Sequence, residues 1–133
     1  QQAKKSILMI AGAAAQKYMA KLDREQMIIM ELADMLIEVF AAESSILRTQ
    51  KMAANQGEEA VSLYKDMTQT LVSDAMEKIN TNGRHALYAF AEGDMQKMML
   101  MGLKRFTKLA PFNTTEARKR IAAAVIEANN YPF

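Results

Sequence analysis

Three carboxylates, Glu31, Asp34 and Glu38, stand three and four residues apart. That spacing brings side chains onto one helical face, and helical bundles build di-metal sites from such groups. Those sites draw ligands from several helices and usually include a Glu-x-x-His pair. The one histidine, His85, follows Gly83 and Arg84 and has no carboxylate three residues before it. A solvated acidic face is therefore the expectation, and no metal site. As a general base His85 would need a partner held near it. Asp74 and Glu92 stand too far around or along a helix to be obvious partners, so no catalytic role is expected.

The bases concentrate elsewhere. Residues 94–120 hold Lys97, Lys104, Arg105, Lys108, Arg118, Lys119 and Arg120 against Asp94 and Glu116, whereas residues 25–43 hold five acids and no base. The basic groups could touch a phosphate of a lipid headgroup or of a nucleotide-like ligand. No aromatic residues interleave with them as base-stacking platforms, and no glycine-rich phosphate loop is present. With a net charge of +2, nucleic acid is not an expected partner. A membrane surface is conceivable but not favoured, and faces that pair as the helices fold back are the plainer reading. Cysteine is absent, which removes disulfides and thiolate chemistry and permits a reducing compartment.

Of the twelve methionines, Met95, Met98 and Met99 fall on an expected core stripe, whereas Met101 falls off it and is a candidate interface residue. Lys104, Arg105 and Lys108 join it as candidates. So do Tyr131 and Phe133, two rings flanking Pro132 at an end otherwise prone to fray, which suggests docking into an apolar groove.

The elements that would position these groups are all helical. Half the residues are apolar, strong helix formers dominate, and the two prolines, Pro111 and Pro132, come late. A first helix is expected over residues 3–20 with the stripe Ile7, Ile10 (or Ala11), Ala14 and Tyr18, and with Gly12 and its neighbouring alanines allowing close approach of another helix. Asp23 reads as the N-cap of a second helix, with Gln26 at the capping-box position. That helix runs to about residue 55 with Ile28, Leu32, Met35, Leu36, Val39, Phe40, Ile46 and Leu47 buried. No Gly or Pro interrupts residues 24–56, so it would be roughly 50 Å long at ~1.5 Å per residue. That exceeds the need of a compact domain this size and points to surroundings outside the chain.

A third helix is expected from Gly57 and Glu58 to about residue 91. Asn82 and Gly83 could break it, but Ala86, Leu87 and Phe90 keep the period of Leu71, Ala75 and Ile79. A fourth, over residues 94–108, would turn Met95, Met98, Met99, Gly102, Leu103 and Phe106 inward. Asn113-Thr114-Thr115-Glu116 has capping-box spacing and opens a fifth, with Ala117, Ile121, Ala124, Val125 and Ala128 on one side. Residues 1–133 thus read as one all-α domain, an up-and-down bundle of about five helices, two of them long. The longest apolar run, from Ile7 to Ala15, covers about nine residues where a membrane span needs roughly 20. Nothing resembles a signal peptide, and a cytoplasmic setting is expected. The opening on Gln1, without an initiator and already in helix-forming sequence, suggests a cut inside a longer protein.

Arg24-Glu25-Gln26, the run Leu32-Ala33-Asp34-Met35-Leu36-Ile37-Glu38-Val39-Phe40-Ala41 and the segment from Ser44 to Arg48 together resemble the C-terminal helical region of very-long-chain-type acyl-CoA dehydrogenases. The ending Asn130-Tyr131-Pro132-Phe133 is similar to that family's Asn-Pro-hydrophobic-Gly-Phe terminus, with the glycine missing and the proline displaced. The resemblance implies a flavoenzyme of fatty-acid β-oxidation that oxidises an acyl-CoA to the trans-2-enoyl-CoA. A glutamate removes the α proton while the β hydride passes to FAD. Flavin site and glutamate lie in the preceding domains, so neither carries over to any position here. By this resemblance the chain is a structural and assembly segment that holds no cofactor itself, packs on upstream catalytic domains of the same chain and helps fix a homodimer. A free-standing helical interaction or dimerisation module is the rival reading.

Overall fold

The computed structural model describes residues 1–131 and 133. Five α-helices and one 3-10 helix account for nearly all of them, and no strand occurs among the described residues. In order they are α1 (Gln2–Tyr18), the 3-10 turn (Met19–Arg24), α2 (Gln26–Gln56), α3 (Ser62–Phe90), α4 (Gly93–Phe106) and α5 (Thr114–Ala128). The chain divides into two compact units. One comprises Gln1–Phe40 and Ala75–Leu109, the other Ala41–Asp74 and Ala110–Phe133. Both long helices contribute to each.

The first unit is built around Ile7, Ile10 and Ala14 of α1, Ile28 and Met35 of α2, Ile79, Ala86, Leu87 and Phe90 of α3, and Met99 and Leu103 of α4. These positions recur at three- and four-residue steps, the period that puts one stripe of each helix inward. Gly83 is buried in α3 and does not break it. A Cβ there would stand 2.8 Å from Leu103 Cδ1 and 3.1 Å from Ile10 Cδ1. The missing side chain is what lets α1 and α4 close on α3. The anticipated close approach at Gly12 is absent, because nothing lies within 4 Å of a Cβ built there. Gly102, with Met9 Sδ at 3.0 Å, takes that role between α4 and α1. Tyr18 meets Phe90 edge to face at 6.4 Å, and Lys17 Nζ donates to the Phe90 carbonyl at 2.5 Å. That bond satisfies an oxygen which the end of α3 would otherwise leave without a helical donor.

Asp23 does not cap α2. It lies in the 3-10 turn, where Glu25 N donates to Leu22 O, and Gln26 Nε2 reaches the Asp23 carbonyl instead of its amide. The third helix begins later than the glutamates suggest. Gly57 adopts φ 90°, a value glycine tolerates, and residues 58–61 form a turn.

In the second unit Val61 and Ala117 are fully buried. Asn113 caps α5 as its spacing predicts, its side chain accepting from Glu116 N at 3.1 Å. Asn129 ends that helix in the left-handed conformation. Arg120 grips Asp66 of α3 with two nitrogens, each 2.7 Å from a carboxylate oxygen. Arg118 reaches Asp74 at 2.6 Å.

Several anticipated core residues face outward. In α2, Leu36, Phe40, Ile46 and Leu47 are exposed while Ile28 and Met35 are buried. Leu36 follows Met35, and Phe40 follows the half-buried Val39. One residue turns a helical side chain about 100° away. Met98, next to the buried Met99, is 71 % exposed for the same reason, and Met95 is 47 % exposed. On α5, Ala128 is exposed.

Candidate functional site

The acidic cluster on α2 resolves into pairs. Glu38 Oε1 accepts from Lys78 Nζ at 2.7 Å, and Glu31 Oε1 lies 3.3 Å from His85 Nδ1. Asp34 is exposed. Among the described residues, no group of three or more acidic, histidine or cysteine side chains could hold a metal ion. The Glu31–His85 contact brings together residues 54 positions apart, so spacing along the chain could not foretell it. It sits at the surface.

The basic segment behaves in two ways. Arg118 and Arg120 are engaged by α3, and Lys119 by Glu116 of its own helix at 2.7 Å. Lys104 and Arg105 are exposed in the last turn of α4, near the exposed Met101, and Lys108 is exposed just beyond the helix. The aromatic ending divides. Phe133 packs edge to face on Tyr64 at 5.6 Å and on Tyr131 at 5.7 Å, within an apolar cleft that includes Ala60, Leu63 and Ala124. Tyr131 remains 78 % exposed, and Pro132 lies outside the described residues.

A second cleft in the same unit runs past Thr49, Gln50, Ala53, Glu58, Lys65 and Thr68. Four of its lining residues are already joined in two pairs, Thr49 Oγ1 to Thr68 Oγ1 at 2.7 Å and Lys65 to Glu58. The buried hydroxyl of Thr70 has no partner. These donor sets do not fit a flavin. The polar pairs of the second cleft are spent on each other, and the Thr70 hydroxyl is a single buried group. No helix among the described residues is long and apolar enough to cross a membrane.

The all-helical fold agrees with the comparisons. The chain belongs to the acyl-CoA dehydrogenase C-terminal domain family, whose profile matches residues 2–105. It is 40 % identical over 130 residues to a probable acyl-CoA dehydrogenase of Bacillus subtilis, with 98 % of the chain aligned. It is also similar to an acyl-CoA dehydrogenase of Bacillus anthracis whose crystal structure is a complex with FAD, with a TM-score of 0.96 and 36 % identity over 99 % of the chain. The chain spans 22 % of the length of the first and 23 % of the second.

Proposed function

We propose that residues 1–133 act as one structural and assembly domain of an FAD-dependent acyl-CoA dehydrogenase of the very-long-chain type, a cytoplasmic homodimer. The observation that carries this reading is the pattern of coverage. Nearly all of the chain aligns with dehydrogenases more than four times its length, and several of its ionisable side chains pair helix to helix, Glu38 with Lys78, Asp74 with Arg118 and Asp66 with Arg120. In the parent enzyme, oxidation of an acyl-CoA to the trans-2-enoyl-CoA relies on a bound flavin as hydride acceptor. Substrate, flavin and the proton-abstracting carboxylate belong to the preceding domains. The resemblance of residues 24–48 to the very-long-chain type supports the finer assignment. The absence of cysteine agrees with a reducing compartment.

The test is to purify the full-length protein and follow reduction of an artificial electron acceptor with palmitoyl-CoA and butyryl-CoA, with sedimentation in parallel. Turnover favouring palmitoyl-CoA in a flavin-containing dimer is the expected result. A protein without flavin or acyl-CoA oxidation would overturn the reading, and preference for butyryl-CoA would overturn its subtype.

A further inference from the structure

The part of α2 in the first unit carries apolar side chains on two sides. Ile28 and Met35 are buried in the core, yet Met30, Leu36, Ile37 and Phe40 are 57 %, 55 %, 62 % and 74 % exposed. With Ala33 they occupy an arc of about 120° on a helix that turns about 100° per residue. A surface helix ordinarily turns polar groups to that side. An apolar strip of this size on a folded chain marks a surface that something else covers.

Two observations select the occupant. Between Arg24 and Arg48 the sequence has three acids beside the strip (Glu31, Asp34 and Glu38), two more at Glu25 and Glu43, and no base. Glu31 and Glu38 are paired with His85 and Lys78, while the exposed Asp34 borders the strip next to Met30. A two-fold contact between copies of α2 places the same patch on itself. In an antiparallel two-fold contact the acid-bearing edge of α2 would face its own copy, setting Glu31, Asp34 and Glu38 near acids, with Lys78 and His85 of α3 already paired to two of them. A different surface with a Lys or Arg at its edge suits the exposed Asp34 better than a second copy does. The relatives supply a candidate by length, since the chain spans only 22–23 % of them.

We infer that the strip Met30, Ala33, Leu36, Ile37 and Phe40 docks on an apolar, basic-edged surface of the protein's own preceding dehydrogenase segment, with Asp34 facing that base. The inference rests on the reading of the chain as one part of a full-length dehydrogenase. A photoreactive benzophenone side chain in place of Phe40 in the full-length protein, with Lys97 as the exposed control, tests it. Mass spectrometry of the irradiated protein is expected to find the position-40 probe joined to peptides that precede residue 1, at a yield at least several-fold above the control. Ile37→Lys is expected to raise amide exchange across residues 26–40 more than tenfold while flavin content stays unchanged. Cross-links from position 40 to α2 of a second copy, or yields no higher than the control, would overturn the docking. Flavin content and acyl-CoA oxidation on the same samples separate the two ideas. An active flavoenzyme without the cross-link removes the docking alone, and the cross-link in an inactive, flavin-free protein removes the dehydrogenase reading alone.

Discussion

Arg120 and Asp66 form the best-defined polar contact between α3 and α5. The hydrogen bond from Arg120 holds the Asp66 carboxyl below its usual pKa. Partial burial opposes this and Coulombic attraction adds to it. A carboxyl whose folded pKa is depressed stabilises the fold fully above its unfolded value of about 3.9. That contribution disappears as pH falls through the lower folded value. Protection of the α5 amides in the full-length protein, measured against their intrinsic exchange rates, should therefore fall on acidification below about pH 4. In Asp66→Asn this acid-dependent step should shrink, with faster exchange already at neutral pH. An unchanged acid profile in the variant would show that the pair contributes nothing. Gly83 makes a second residue-scale prediction. Gly83→Ala gains up to ~1 kcal/mol in helix propensity but forces a methyl between Leu103 and Ile10, both fully buried. Overpacking costs about 1–3 kcal/mol, so a net loss of about 1 kcal/mol is expected in denaturant unfolding. A more stable variant would mean that the two side chains step aside freely.

At the scale of elements, the period of apolar residues located all five helices, including the continuity of α3 through Asn82 and Gly83. Ala86, Leu87 and Phe90 are buried as their spacing requires. Asn113 was legible as a cap because capping is local chemistry between residues three apart. The start of α2 was not, because the choice between capping by Asp23 and a 3-10 turn depends on how the chain leaves α1. Leu36, Phe40 and Met98 were misplaced because an apolar side chain next to a core position looks the same in sequence whether its face meets this chain or another surface. The pairs Glu31–His85 and Arg120–Asp66, each 54 residues apart, were hidden because only the folded chain brings them together. Lys17 belongs to this scale as well. Its Nζ donates to the Phe90 carbonyl. Lys17→Met should cost about 1 kcal/mol and raise exchange in the last turn of α3. Exchange matching that of the parent protein would mean that water serves the carbonyl equally well.

For the molecule as a whole, α2 is 31 residues long, about 46 Å at ~1.5 Å per residue, and within the first unit it leaves Met30, Leu36, Ile37 and Phe40 exposed. This is the geometry of a part made for a larger body, in accord with its family. Its polar groups hold helices to one another, its small residues set how closely they pack, and its remaining apolar surface calls for a neighbour. The most direct measurement compares the full-length protein with residues 1–133 alone, recording the flavin absorption band and the acceptor reduction supported by palmitoyl-CoA. The account predicts both signals from the full-length protein and neither from residues 1–133. Stoichiometric flavin or thioester oxidation in the 133-residue chain would contradict it.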